Sequence, residues 1–424
     1  MMSKSIWIKL LATAGLLFIL SGCSFNPLAD PKTLIQTPQL PSDKQTLSSL
    51  ISSELPEGAS IQSPKNGNSS KIQTVDLDGD GTSETIVFYQ TFDGRINGLI
   101  FEKSGDTWVK KDTIEGAGFT LESVEISDIT HDGKRDIIVG YSNSGISNSD
   151  TGLKTLVIYS YDKGVLKTVS EMPYSYYFIT DLDGDGVNEL AIATIDKFGD
   201  QENLGYVKVT VYRYKNGFQE IDSIDLANSV ESFYNTIAGK VTSNQNGIIL
   251  DEALGVSGLT HLIVMENNEL VDVFPRSLLA TFKNIQIASE DINNDGILEI
   301  GRDVVPEGWE NISPTETPRW TYYYQWNGGS QLTKLVSQQY RDDQGRFVIR
   351  IAPDWNDKLT IDTKSNKNQD IRFILKDTGE KVAEVRFFSE SDWNNHNGDW
   401  KVIAQNRGQI IALWENSKIN IVQN

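Results

Sequence analysis

The 424-residue chain has one cysteine and three histidines. A lone thiol, Cys23, excludes an internal disulfide and a thiolate metal site. His131, His261 and His396 lie far apart, and no nucleophile elbow, phosphate-binding loop or His-Glu zinc motif occurs. Positive charge is short as well: 38 Lys and Arg against 58 Asp and Glu leave a formal charge of −20. That balance argues against nucleic acid or anionic lipid headgroups as partners. The apolar run from Leu10 to Leu20 is too short to favour a transmembrane helix. Between about 60 and 340 no helical periodicity of useful length is present.

What the N-terminus does hold is an address. Lys4 and Lys9 precede the apolar run, and Leu20-Ser-Gly-Cys23 follows it. A basic segment, a short apolar segment and small residues before a cut describe a secretory signal. Leu-Ser-Gly-Cys is similar to a bacterial lipobox, which implies cleavage before Cys23, lipid on that residue and an extracytoplasmic, membrane-anchored protein. An ordinary signal, or an anchor helix with a chance cysteine, is the plainer alternative. Residues 24–41 carry Pro27, Pro31, Pro38 and Pro41 and read as a tether. Ser42-Asp-Lys-Gln45 reads as a helix start, with Leu47, Leu50, Ile51 and Leu55 at helical spacing before Pro56. One short helix packed on the next domain, or a partly ordered linker, is expected there.

The chemistry is concentrated in a recurring acidic loop. Asp181, Asp183, Asp185 and Glu189 occupy positions 1, 3, 5 and 9, with Gly186 at position 6, where the chain must turn sharply. Asp76, Asp78, Asp80, Gly81 and Glu84 repeat the pattern. So do Asp128, Thr130, Asp132, Gly133 and Asp136, and Asp291, Asn293, Asp295, Gly296 and Glu299. All these donors are oxygens, which suits a hard divalent cation. Position 7 varies freely (Thr82, Lys134, Val187, Ile297), as a carbonyl ligand allows. Position 2 is always aliphatic (Leu77, Ile129, Leu182, Ile292) and is expected to turn into a core. A helix-loop-helix site would need Glu at position 12, where Val87, Val139, Ile192 and Arg302 stand instead. Short aliphatic strands follow each loop.

The loops start at 76, 128, 181 and 291, and the last gap has room for one more unit. Thr242-Ser-Asn-Gln-Asn-Gly247 fits as a degenerate copy, with Leu250 where a carboxylate is needed. A fixed period with several strands per unit is the mark of a repeat architecture such as a propeller. The D-x-D-x-D-G-x-x-[DE] loop before a strand resembles the FG-GAP/VCBS-type repeat of integrin-α-like β-propellers, over roughly residues 70–340. The resemblance implies an all-β fold of four-stranded blades, here five with one degenerate. It also implies Ca2+ at about four sites, held through positions 1, 3, 5, 7 and 9. Strands are expected at 71–77, 85–91, 97–103 and 107–113, then 121–128, 137–142, 153–161 and 165–170. A third set is expected at 175–181, 190–195, 205–213 and 217–224, a fourth within 230–275 and a fifth within 283–338.

Beyond residue 341 the loop pattern stops, and 341–424 reads as a separate small β-rich or α+β domain. Its strands are expected at 370–375, 381–388, 400–405, 409–415 and 418–422, with a hairpin turn at 406–408. Trp355, Trp393, Trp400 and Trp414 concentrate there, as core fill or as a sugar-stacking or protein-binding surface. Two functions fit this organisation. One is a surface-tethered, calcium-stabilised binding or scaffold module for a protein or an envelope polysaccharide. The other is a secreted carbohydrate-active hydrolase or lyase. Trp309, Trp320 and Trp326 along a groove with a calcium-free carboxylate pair would favour the second.

Overall fold

The computed structural model describes residues 42–66, 70–105, 107–143, 154–197, 205–313, 315–332, 334–406 and 408–416. The leader, Cys23, the tether and the strand expected at 418–422 lie outside them. Two compact units are distinguished. One includes the helix and Lys103–Val109, and the other comprises Pro56–Glu102 and the chain from Lys110 onward. Helix α1 spans Ser42–Glu54 and buries Leu47 and Ile51, one turn apart on one face.

The rest is mostly β. The first sheet holds β1 (Ser60–Ile61), β2 (Ile72–Val75), β3 (Glu84–Gln90), β4 (Ile96–Ser104) and β5 (Thr107–Glu115). The second is β6 (Thr120–Ser127), β7 (Asp136–Ser142), β8 (Lys154–Asp162) and β9 (Val165–Tyr174). The third is β10 (Tyr176–Thr180), β11 (Glu189–Lys197), β12 (Gly205–Tyr214) and β13 (Phe218–Val230). The fourth is β14 (Phe233–Lys240), β15 (Asn246–Leu254), β16 (Ser257–Glu266) and β17 (Glu269–Asp272). The fifth is β18 (Glu299–Val304), β19 (Arg319–Gln325), β20 (Lys334–Arg341) and β21 (Val348–Arg350). Every strand pair resolved in register is antiparallel.

Burial explains the strand sequences. The strand after each loop is covered on both faces, so β3 and β7 are almost wholly buried and read as unbroken apolar runs. The fourth strand lies at the sheet edge and is mostly exposed or half-buried, with exposed Lys167 in β9 discouraging edge-to-edge pairing. Core clusters join each sheet to the next. Ile86 and Ile100 pack with Val139 and Val157; Ile138 and Ile158 pack with Leu190 and Ile192. Val207 and Val209 pack with Leu250 and Ile263; Ile249 and Val264 pack with Ile300 and Trp326. Among the described residues no cluster joins the last sheet to the first.

Three boundaries differ from the sequence reading. The fifth sheet has no full strand before its loop; a single bridge, Glu290 to Glu299, stands in its place. Upstream of it, Lys283 lies against the fourth sheet. It is bridged to Gly258, and its buried ammonium donates to Asp251 at 2.9 Å. Val348–Arg350, placed beyond the boundary at 341, pairs with β20 and completes the fifth sheet. The C-terminal segment then forms a sixth sheet of β22 (Leu359–Ile361), β23 (Asp370–Leu375), β24 (Lys381–Ser389), β25 (Lys401–Asn406) and β26 (Gln409–Glu415). Its order is β22-β23-β24-β26-β25, with a short helix α2 (Glu390–Asn394) after β24. It shares one core with the fifth sheet: Trp320, Tyr340 and Phe347 pack with Phe373, Val385 and Ile411.

Candidate metal centre

Each acidic loop leads into a strand, β3, β7, β11 or β18, and is built by one hydrogen-bond scheme. The position-1 carboxylate accepts two backbone N–H bonds: Gly79 and Gly81 donate to Asp76 at 2.8 and 3.0 Å. Gly184 and Gly186 donate to Asp181, Asp132 and Gly133 to Asp128, and Asp295 and Gly296 to Asp291. The position-5 carboxylate accepts the N–H of position 7, from Thr82, Lys134, Val187 and Ile297. The position-9 acid opens the following strand and reaches back under the loop. Leu77, Ile129, Leu182 and Ile292 donate to Glu84, Asp136, Glu189 and Glu299 at 2.7–3.0 Å.

Two positions require left-handed backbone. Position 6 is glycine throughout, at φ of 83° to 88°. Position 4 has the same need and the sequence reading passed over it: Gly79, His131, Gly184 and Asn294 stand there at φ of 58° to 78°. Gly and Asn are the residues that tolerate this region, so the signal was in the chain. His131 is exposed there. The position-2 residues Leu77, Ile129 and Leu182 are buried in core clusters; Ile292 is half-buried.

The carboxylates do converge. Asp76, Asp78 and Glu84 bring oxygens within 4.8 Å of one another, as do Asp181, Asp183 and Glu189, and Asp291, Asp295 and Glu299. The loop at 128 forms no such acidic triad; there Thr130, at the third position, donates to Asp136 at 3.3 Å. The position-9 acids are all at most 1% exposed. Burial pushes Glu84 up to about 7, aided by the charges of Asp78, Asp76 and Asp80. Burial likewise raises Glu299 to about 6, and lifts Glu189 and Asp136. An anion so disfavoured calls for a counter-ion.

The donor set is all oxygen, and in the first loop one donor is spare. Oε1 of Glu84 is buried with no hydrogen-bond partner. The buried hydroxyl of Tyr161, brought from β8 of the second sheet, also lacks a partner and feels the charge of Glu84. Residues Asp76, Asp78, Asp80 and Glu84 therefore fit a hard cation. The degenerate copy differs from its sequence alignment. Lys240 pairs with Asn246, so its loop is 241–245, shorter than 76–83, and Asn246 rather than Leu250 takes the place of the acid. It offers no carboxylate.

The histidines are not brought together. His261 is buried between Asp272 and Glu252, at 2.8 and 3.2 Å; burial lowers its pKa, but the two acids outweigh this and hold it at about 9. It is a satisfied core ion pair rather than an accessible base. His396 stacks on Trp393. Trp309, Trp320 and Trp326 are buried in cores, not arrayed along a groove. Trp355, Trp393, Trp400 and Trp414 are half-buried, the second and third packed on Phe388. One cavity, about 500 Å³, lies among the first strands of the second to fourth sheets. Tyr174, Tyr176, Tyr177, Glu125, Lys154 and Thr236 line it.

No family model and no curated protein matches the chain. Among solved structures it is similar to the exotype rhamnogalacturonan lyase YesX, at 11% identity over 82% of this chain and 80% of that one, with a TM-score of 0.33. A rhamnogalacturonan lyase of Bacillus licheniformis matches at 10% identity over 76% and 88%, with a TM-score of 0.34. Sqt1 of Saccharomyces cerevisiae matches at 10% identity over 81% and 95%, with the same TM-score. Values this low assign neither a fold nor a function to the chain.

Proposed function

We propose that the protein is a calcium-stabilised binding or scaffold module, tethered through lipid on Cys23 to a bacterial membrane. Its first five sheets are taken as blades of an FG-GAP/VCBS-type propeller. Its partner is a protein or an envelope polysaccharide. The observation that carries this reading is the loop itself, repeated with one hydrogen-bond scheme in four sheets over a buried acid, and with a spare buried oxygen on Glu84 in the first. Calcium there would bring positive charge to carboxylates that repel one another; the chain's own part is to hold them in place.

The tyrosine-lined cavity suits a saccharide. Tyr176 and Tyr177 contribute half-buried rings, while Glu125 and Lys154 offer an acceptor and a donor. A groove lined by Trp309, Trp320 and Trp326 would favour the enzymatic alternative, and all three are buried. Binding of the protein to a glycan array and to purified envelope polysaccharide, with Tyr176→Ala as the control, tests the reading. Binding weakened by the substitution is expected. Release of new reducing ends or unsaturated sugars would establish the hydrolase or lyase instead.

A further inference from the structure

The loops differ in what faces the position-9 acid from the neighbouring strand. In the first, Glu84 is paired in register with Glu102, a further carboxylate. Lys111 satisfies Glu102 at 2.8 Å, and Oε1 of Glu84 is left without a partner. In the third, Glu189 faces Arg213, one residue past Tyr212, the partner of Leu190. The Arg213 guanidinium enters the loop. Its Nη2 donates to Glu189 Oε1 at 2.5 Å and to Asp183 Oδ2, and lies 3.4 Å from Asp185 Oδ2. Its Nε also donates to Glu189 Oε1 at 3.2 Å. Both oxygens of Glu189 are then used, since Leu182 N–H takes the other.

We propose that Arg213 is the resident cation of the third loop, so that this loop folds without a divalent ion, and that the first loop, with Glu84 Oε1 and the Tyr161 hydroxyl unpartnered, is the principal calcium site. The inference rests on the calcium reading of the loops. A guanidinium in contact with positions 3, 5 and 9 occupies the ground an ion would take. Calcium could enter only by breaking charge-assisted bonds to Glu189 and Asp183 and the ion pair with Asp185. The first loop has no such occupant; its buried oxygens gain a partner only when a cation or water arrives. The two loops carry four carboxylates each; Arg213 separates them.

Calorimetric titration of the metal-free protein with calcium tests this. Asp78→Asn should remove one site, or weaken the tightest step by about tenfold or more. Asp183→Asn should leave stoichiometry and affinity unchanged. Arg213→Gln should add a site. If Asp183→Asn loses a site as Asp78→Asn does, the Arg213 assignment is overturned while the calcium reading stands. If Asp78→Asn binds calcium as the unmodified protein does, both fall. Should Arg213→Gln fail to fold, Asp183→Asn decides alone.

Discussion

Replacing Glu84 by Gln should change how the metal-free protein responds to pH. Glu84 is 1% exposed, and its folded-state pKa is about 7 against an ordinary value of 4.5. A raised carboxyl pKa means that the folded state binds the proton more tightly than the unfolded one. The penalty is therefore absent below pH 4.5, grows between 4.5 and 7, and is complete above 7. Its size is about 3 kcal/mol, because each tenfold difference in proton affinity between the two states is worth roughly 1.4 kcal/mol. Glutamine keeps an oxygen to accept the Leu77 N–H bond and carries no charge to desolvate. Metal-free protein should lose stability from pH 5 to 8, and Glu84→Gln should flatten much of that slope. Urea unfolding at both pH values, after chelation and desalting, measures it. Glu299, Glu189 and Asp136 are raised in the same direction and leave a residual slope. Equal slopes for the two proteins would refute the reasoning.

Leu77 at position 2 is fully buried in the core between the first two sheets, so Leu77→Ala should cost about 2–5 kcal/mol, read as a lowered urea midpoint with or without calcium. Cys23→Ala should release the protein from the membrane fraction and abolish incorporation of a labelled lipid precursor; unchanged fractionation and labelling would remove the anchor from the account.

The first, third, fifth, sixth and ninth positions of the loops were legible because the backbone scheme demands those residues: carboxylates to take N–H bonds, glycine for a left-handed turn. Strands beside them were legible as apolar runs because packing on both faces leaves no polar side to show. What was hidden depends on partners distant in sequence. Arg213 meets Glu189 only through the hairpin of β11 and β12, and counting that register would have exposed it. Lys283 meets Asp251, 32 residues away. The degenerate loop was aligned on Gly247, whereas pairing of Lys240 with Asn246 sets its length. In the sixth sheet the β25–β26 hairpin was visible, but which of its strands joins β24 was not.

The central claim is that the acidic loops are calcium sites that stabilise the fold. Calcium binding the folded loop and hardly the unfolded chain must raise stability, by about 1.4 kcal/mol per site at ten dissociation constants. Thermal melts of the protein in millimolar calcium and in metal-free buffer, each with and without Asp76→Asn, measure this directly. The account predicts a higher melting temperature in calcium and a smaller difference in the variant. Coincident curves with and without calcium would contradict it.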